Sequence, residues 1–381
     1  AIYFKVMIFR RQKSMRVGIY IDRMDLRGGA QRVVSNLCHG WSRLGWTVHL
    51  ILVSGGEPAF LVPPTVLTHR LAAHHKRRGL PGLWDNWQHV RALGRVVRAA
   101  RLDAVLAIST VANIHLAYAD LPPSVVRIGS EHSYARHFPL SFIKHWFRRR
   151  ANARLDAVVC PTNEAAATLA LDCPGSRACG IPNWLTWPLP HGGGSGSAGL
   201  RRPGRKLFLA CGRFDKLKGF ARLIAMFNAV KHRLPDWDLA IVGDGDDREL
   251  LVRLVQDLAL GDRVFFPGWL ADMEIAFRSA DLFVFPSVSE GFALVLAEAM
   301  ACGLPCLSYD CKVGPSEIIR HEVDGVLVPV GDEGAFTSAM LRLAEDEAEL
   351  QRLAAGCPAI LGRLAESTVQ PLWAQVLSQK R

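Results

Sequence analysis

The chain has 381 residues, of which half are hydrophobic, and a formal net charge of +11. This length and apolar content exceed what one domain usually needs, so we expect two domains and exclude a small disulfide-stapled or disordered protein. None of the nine cysteines forms a CxxC pair, so the usual signature of a zinc site is missing. The cysteines are therefore interpreted as small core residues of a reduced, cytosolic protein.

Charge is distributed unevenly along the chain. The first 195 residues contain 25 Lys and Arg against 10 Asp and Glu, whereas the rest contain 21 against 25. The N-terminal half is therefore strongly basic, which indicates an anionic partner: nucleic acid, phospholipid or a phosphorylated substrate.

The first 14 residues precede the first predicted strand, which begins at Met15. Their apolar run is interrupted by Lys5 and is too short to span a bilayer. Basic residues follow this run rather than precede it, which is not the order of a secretory signal. We therefore interpret residues 1–14 as an N-terminal extension and expect a cytoplasmic protein.

Apolar runs alternate with amphipathic stretches through residues 15–190. Strands are predicted at VGIYI, VHLILV, AVLAIS, VVRIGSE and DAVVCPT, and helices over 30–44, over 85–101 and after Asn163. This alternation predicts a doubly wound parallel sheet. The glycine-rich and serine-rich residues within 191–204 then indicate a flexible linker.

The alternation restarts over residues 205–365, which predicts a second Rossmann-like domain. Strands are predicted at KLFLACG, DLAIVG, VFFPG, LFVFPS, PCLSY and GVLVP, with helices over 219–233, 246–259, 272–279, 293–302 and 333–346. A C-terminal helix over 366–381 can cross back to the N-terminal domain. Ligands of open parallel sheets bind at the carboxyl ends of the strands, so residues just after each strand should line a cleft between the domains.

The loop after KLFLACG has a glycine at each end. Gly212 and Gly219 flank Arg213 and Lys218, and glycine lets the backbone approach a ligand closely. Two cations at a strand end are suited to holding a diphosphate. The alternative is a solvated pair of loop charges, but it leaves the two glycines unexplained.

Two glutamates follow the strand LFVFPS. Glu290 is expected in the turn before a helix, and Glu298 on the second turn of that helix. Glu298 could be an ordinary exposed helix residue, but its neighbours over 296–301 are too apolar for an idle carboxylate. At the helix start, a phosphate or sugar oxygen could accept hydrogen bonds from the N–H groups of Phe292, Ala293 and Leu294.

These motifs together resemble a known family. SEGFALVLAEAMACGLPCLSYD is similar to the E-x7-E signature of the family-4 retaining glycosyltransferases, and GRFDKLKG resembles their diphosphate loop. IVGDGDDREL, VFFPGW and GPSEIIRHEVDGVLVPVGD match the family in order and spacing. The resemblance covers nearly the whole chain from Met15 and implies the GT-B fold, in which two Rossmann-like parallel-sheet domains face a central cleft.

The resemblance also implies roles for the matching residues of the C-terminal domain. Arg213 and Lys218 would bind the donor diphosphate, Glu290 the hydroxyls of the transferred sugar, and Glu298 the ribose. Residues 267–269, with Gly268 and Trp269, would line the nucleobase pocket. Retention would follow because the departing diphosphate, neutralised by Arg213 and Lys218, assists the incoming hydroxyl. No metal and no other cofactor is expected, because side-chain cations and helix dipoles compensate the diphosphate charge.

Two N-terminal features resemble the family as well. Gly28 and Gly29 open a turn similar to the family's GGAER, where backbone approaches the donor phosphate or the acceptor, although Gln31 replaces the usual glutamate. His132 follows VVRIGSE, where family members place a histidine that faces the donor sugar. A satisfied core histidine is the alternative for His132.

Basic and aromatic residues interleave over 142–150, including Lys144, Arg148, Arg149 and Arg150 beside Phe142, Trp146 and Phe147. Such a helix is typical of attachment to an anionic membrane, and no recognised nucleic-acid module accompanies it. A solvated basic face is the alternative.

We therefore predict a cytoplasmic enzyme, peripheral at the inner face of the plasma membrane, in bacterial cell-surface polysaccharide or glycolipid synthesis. It would move a hexose or hexosamine from a nucleotide-diphosphate sugar to a hydroxyl of a glycan or lipid-linked acceptor. The alternatives are a sugar-nucleotide epimerase or phosphorylase of the same fold, or a non-catalytic nucleotide-sugar-binding protein. Neither the carboxylates of the epimerases nor the pyridoxal-bearing lysine of the phosphorylases has a recognisable context here.

Overall fold

The computed structural model describes residues 14–26, 28–71, 80–132, 141–189 and 200–380. The proposed extension over 1–14 therefore lies almost wholly outside the described residues, as does most of the linker. Within the described residues the chain forms two parallel sheets, of seven and six strands. This confirms the prediction of two parallel-sheet α/β domains.

The N-terminal sheet has the strand order β3-β2-β1-β4-β5-β6-β7. Its strands are β1 (Arg16–Ile21), β2 (Thr47–Leu52), β3 (Leu67–Arg70), β4 (Ala104–Ile108), β5 (Val126–Ser130), β6 (Ala157–Cys160) and β7 (Ala178–Gly180). The helices of this half are α1 (Gly29–Arg43), α2 (Leu80–Ala99), α3 (Thr110–Tyr118), α4 (Phe142–Asn152) and α5 (Asn163–Asp172). Every strand pairs in parallel with its neighbours, so all the strand carboxyl ends lie at one edge.

The C-terminal sheet has the strand order β10-β9-β8-β11-β12-β13 and is also parallel. Its strands are β8 (Lys206–Cys211), β9 (Trp237–Val242), β10 (Val264–Gly268), β11 (Leu282–Phe285), β12 (Cys306–Tyr309) and β13 (Gly325–Val328). The helices are α6 (Phe220–Val230), α7 (Arg248–Asp257), α8 (Met273–Arg278), α9 (Leu294–Ala301), α10 (Pro315–Ile318), α11 (Glu333–Glu345), α12 (Glu347–Gly356), α13 (Ile360–Arg363) and α14 (Glu366–Ser378).

The central strands are mainly apolar because helices cover both faces of each sheet, although β9 includes the buried Asp238. All five residues of β4 and all six of β9 are buried, and each sheet separates two apolar cores. Burial on both faces explains why these strands appear in the sequence as near-continuous apolar runs rather than alternating ones.

The chain crosses between the domains twice, and the crossings lie side by side. At the first crossing, Trp184 packs in the N-terminal core and Leu185 in the C-terminal core. The N–H of Leu185 donates to the carbonyl of Leu364 at the second crossing, 2.8 Å away. Beyond it, α14 returns to the N-terminal domain, where Val369, Trp373 and Leu377 are buried in the core.

Candidate active site

The loop between β8 and α6 packs against the segment that follows β11. Lys216–Lys218 form a single 3-10 turn, and Gly219 then adopts a left-handed conformation with φ of 70°. A Cβ at Gly219 would collide with the carbonyl oxygen of Pro286, so this position needs glycine. The N–H of Val288 donates to the Leu217 carbonyl at 2.9 Å. The loop is thereby fixed next to the segment that carries Glu290.

Lys218 and Glu290 form an ion pair at the base of the cleft. The Nζ of Lys218 lies 2.5 Å from Oε1 of Glu290, and their side chains are 21% and 9% exposed. Lys218 Nζ also lies 5.6 Å from the ring centroid of Phe285. The pair places one cation and one carboxylate, both partly exposed, where a diphosphate and a sugar hydroxyl could each find a partner.

Helix α9 begins just after Glu290, in a tightly constrained backbone. Ala293 has a left-handed conformation, with φ of 65°, and no side chain within the described residues caps this end of the helix. Gly314 presses against the carbonyl group of Phe292, where a Cβ would lie 2.7 Å from the oxygen. The first turn, which begins at Leu294, therefore presents uncapped backbone N–H groups and the positive end of the helix dipole.

Glu298 pairs with an arginine of the other domain. Its Oε1 lies 3.1 Å from Nη2 of Arg32, which stands in the first turn of α1. Burial raises the pKa of the Glu298 carboxyl, and the positive charge of Arg32 acts in the opposite direction. No role was predicted for Arg32 from the sequence. Its position directly after the glycine turn, at the predicted cleft, was the feature that could have indicated one.

Gly28 and Gly29 begin α1 at the cleft edge of the N-terminal sheet. Gly28 is the N-cap residue in an extended conformation, and a Cβ there would lie 2.6 Å from Oε1 of Gln31. Apart from its chain neighbours and the backbone of α1, no described atom lies within 4 Å of a Cβ built on Gly29. The helix start is therefore closely approachable at Gly29, while Gln31 donates to the Arg23 carbonyl at 3.2 Å.

His132 follows β5 and faces the C-terminal domain. It lines a cavity together with Gly291, the residue after Glu290, and Val313. Its Nε2 lies 2.9 Å from Oγ of Ser130. Burial lowers the pKa of His132 to about 4, so the imidazole is neutral at physiological pH.

Arg213 and Trp269 occupy more exposed positions than the residues above. The Arg213 side chain is 76% exposed, and its Nε pairs with Oδ2 of Asp215 at 3.0 Å. Trp269 is 49% exposed and follows Gly268, which has φ of 81° and accepts a hydrogen bond from the Gly243 N–H. The structure thus brings Lys218, Glu290, Glu298 and His132 to the cleft and leaves Arg213 pointing towards solvent.

The basic helix α4 differs from its prediction at one residue. Arg148 is only 2% exposed and donates from Nε and Nη2 to both carboxylate oxygens of Glu131, at 2.7 to 3.1 Å. Its inclusion in an exposed membrane patch was therefore wrong, because Arg148 faces inward. Lys144, Arg149 and Arg150 remain exposed.

Two further observations concern metal sites and membrane-spanning helices. Among the described residues, no group of three or more His, Cys, Asp or Glu side chains is arranged to hold a metal ion. Nor does the described part of the chain contain a helix that is long and apolar enough to cross a membrane.

Two family models match most of the chain between them. The model for group 1 glycosyl transferases matches residues 197–356, and the model for glycosyltransferase family 4 matches residues 27–185. An uncharacterised glycosyltransferase of Haemophilus influenzae is 26% identical over 82% of this chain and 85% of its own length.

A second relative and a solved structure extend the comparison. The lipopolysaccharide core biosynthesis glycosyltransferase LpsD of Rhizobium meliloti is 38% identical over 38% of this chain, and the match spans 41% of that relative. The crystal structure of Anabaena HepE in complex with UDP superposes with a TM-score of 0.76 over 96% of this chain and 100% of its own, at 19% identity. This likeness confirms the fold expected from the sequence.

Proposed function

Because the chain belongs to the family-4, group 1 glycosyltransferases, we propose that it transfers a sugar from a nucleotide-diphosphate donor, with retention, to a hydroxyl of a glycan or lipid-linked acceptor. The observation that carries this proposal is the ion pair of Lys218 and Glu290 at the base of the cleft. Both partners have roles in the family motifs that they match. The HepE complex with UDP supports a uridine nucleotide as the first donor to try.

The proposed chemistry needs a stabilised leaving group rather than a pair of acid and base carboxylates. The bond from the sugar C1 to the diphosphate oxygen breaks, and a bond from C1 to the acceptor oxygen forms on the same face. The acceptor proton passes to the departing phosphate oxygen. Lys218 and the N-terminus of α9 stabilise the negative charge of the diphosphate, while Glu290 accepts from the sugar hydroxyls.

His132 and Arg213 complete the proposed site. The neutral imidazole of His132 can exchange a hydrogen bond with a sugar hydroxyl across the cleft. Arg213 would turn from Asp215 to the diphosphate when the donor binds. Since Lys218 and Arg213 would compensate the phosphate charge, we propose that no metal takes part and expect EDTA to leave the rate unchanged.

Incubation with UDP- and GDP-sugars tests this proposal. We expect slow hydrolysis of one donor and transfer to an added acceptor, with the anomeric configuration of the donor kept in the product as seen by NMR. Glu290→Gln should slow both reactions while nucleoside diphosphate still binds, because Glu290 is assigned to the sugar. A donor returned unchanged would indicate a binding protein, and an epimerised donor would indicate the epimerase alternative.

A role in surface polysaccharide or glycolipid synthesis, with a hexose or hexosamine as the moving sugar, is our proposal for the pathway. LpsD supports it by its stated role in lipopolysaccharide core synthesis. The acceptors to test in the transfer assay are therefore glycans that carry a free hydroxyl and an attached phosphate or lipid.

We further propose that α4 attaches the enzyme, at the cytoplasmic side, to an anionic membrane. Phe142 is 85% exposed and Ile143 67% exposed, although neither is polar. Arg150 stacks over the exposed Trp146, 4.3 Å from its ring centroid. A helix that presents both apolar side chains and cations suits the boundary of lipid headgroups and acyl chains.

Sedimentation with anionic vesicles tests the attachment. Lys144, Arg149 and Arg150 can each contribute about 1 kcal/mol near such a surface. Replacing all three with Gln should abolish sedimentation at low salt, and raising the salt should release the wild type. Replacing three exposed arginines of the C-terminal domain, Arg222, Arg233 and Arg253, is the matched control and should change little. Vesicle binding that survives the first set of changes would refute the role of α4.

A further inference from the structure

One ion pair spans the cleft between the two domains. Arg32 lies in the first turn of α1, at the edge of the N-terminal sheet, and Glu298 lies on the second turn of α9 in the C-terminal domain. Their side chains are 20% and 13% exposed, with 3.1 Å between Nη2 and Oε1. A contact this sheltered, between residues 266 positions apart, can form only while the two domains are close together.

The geometry leaves part of the Glu298 carboxylate for a ligand. Arg32 donates to one oxygen, Oε1. A carboxylate accepts at both of its oxygens, so Oε2 can still accept from a hydroxyl while Oε1 holds the guanidinium. The Arg32 guanidinium is itself held over the ring of Phe60, 5.2 Å from the centroid, which restricts its orientation.

We propose that Arg32 is a positioning residue for the donor: it orients Glu298 from across the cleft so that the second carboxylate oxygen accepts from a hydroxyl of the nucleotide. This inference rests on the proposed donor class. It makes nucleotide binding by the C-terminal domain depend on a residue of the N-terminal domain. Donor binding and domain closure then favour each other, because the nucleotide binds best to the state in which Arg32 and Glu298 are paired.

The charges around Glu298 make the proposal sensitive to pH. Three elements bring ionisable groups to it: α1 brings Arg32, β8 ends in Cys211, and Cys302 follows α9. Burial raises the pKa of both thiols to about 12, so they are neutral at physiological pH, although the positive charge of Lys218 acts on the pKa of Cys211 in the opposite direction. Arg32 is therefore the cation that opposes the burial-driven rise in the pKa of Glu298.

Removing Arg32 should therefore raise the pKa of Glu298 further. More of the carboxyl is then protonated at low pH, and a protonated carboxyl accepts hydrogen bonds poorly. The loss of nucleotide affinity in Arg32→Gln should thus be largest at low pH and should shrink as the pH rises. A purely structural role for Arg32 would give a loss that does not follow pH in this way.

The experiment measures the dissociation constant of UDP, and of GDP if UDP does not bind, by calorimetry between pH 6 and pH 8.5. Arg43→Gln is the matched control, since Arg43 lies on the same helix and pairs with Glu366 away from the cleft. Phosphate titration of the nucleotide affects every variant alike, so the ratio to wild type isolates Glu298. We expect Arg32→Gln to weaken binding about fivefold or more at pH 6, Arg32→Lys to be intermediate, and Arg43→Gln to match the wild type.

A double variant separates this role from a general loss of structure. In a Glu298→Gln background the Arg32→Gln change should have no further effect on nucleotide affinity, because the carboxylate that Arg32 orients is gone. If Arg32→Gln does not fold, Arg32→Lys in the same two backgrounds gives the same comparison. Wild-type protein that binds neither UDP nor GDP would refute the donor proposal as well. Normal UDP binding by Arg32→Gln at every pH would refute only the role of Arg32.

Discussion

Among single residues, Lys218 allows the clearest electrostatic prediction. It stands at the end of a constrained loop and already pairs with a cleft carboxylate at 2.5 Å. Lys218→Gln keeps a polar side chain of similar reach but removes the cation that should stabilise the leaving diphosphate. We expect kcat/KM to fall by about 100-fold or more, since a preorganised charge on the leaving group acts mainly in the transition state.

Lys216→Gln is the matched control for this change. Lys216 occupies the same 3-10 turn but is exposed. Steady-state kinetics on both variants, with the same donor, should show a loss for Lys218 alone. Equal rates for the two variants would remove Lys218 from the mechanism and transfer the diphosphate role to Arg213 or to the start of α9.

At the scale of elements, the buried strands and most helices were predictable because their apolar patterns are strong. The bounds of α1, predicted as 30–44 and observed as Gly29–Arg43, differ by one residue at each end. The edge strands β3 and β7 were missed. None of the four residues of β3 is buried. The strand therefore has no apolar pattern from which it could be predicted.

The inward orientation of Arg148 could not be predicted from the sequence. In the run of three arginines, Arg148 to Arg150, nothing in the local sequence separates the one that faces inward from its exposed neighbours. Its orientation is decided by Glu131 and Asn152, since Asn152 also donates to Oε1 of Glu131, at 3.0 Å. Similarly, the Arg32–Glu298 pair depends on how the two domains pack against each other. Sequence patterns within one domain do not predict such a contact.

The inward orientation of Arg148 leads to a stability prediction. Arg148→Ala would leave the buried Glu131 carboxylate without its main partner, and breaking a buried pair in this way costs about 3 to 5 kcal/mol. Arg149→Ala is the control, because an exposed substitution on the same helix should change stability by about 0.5 kcal/mol or less. Urea denaturation followed by circular dichroism measures both. Similar unfolding midpoints for the two variants would contradict the assigned burial.

At the scale of the whole molecule, the domains are joined by two adjacent crossings rather than one. Trp184 and Leu185 anchor the first crossing in opposite cores, and the backbone bond from Leu185 to Leu364 ties it to the second. Two adjacent crossings let the domains rotate relative to each other but restrict sliding of one domain past the other. This is the geometry of a hinge. The Arg32–Glu298 pair lies where opening about such a hinge would separate its partners.

The second crossing also makes the end of the chain part of the N-terminal domain. Trp373 is 2% exposed, and its ring centroid lies 5.9 Å from that of Trp41 in an edge-on arrangement. Trp373→Ala would leave a cavity in a core formed mainly by residues of the N-terminal domain, at a cost of about 3 to 5 kcal/mol. Leu372→Ala, next to it but 40% exposed, is the control and should unfold like the wild type.

Thermal unfolding should therefore occur at a lower temperature for Trp373→Ala, and the exposed apolar surface of the N-terminal domain should then bind a hydrophobic dye. Transfer activity should be lost at that same lower temperature, because the cleft needs both domains. If Trp373→Ala and Leu372→Ala unfold together with the wild type, α14 is not a part of the N-terminal core, and the second crossing does not hold the hinge in place.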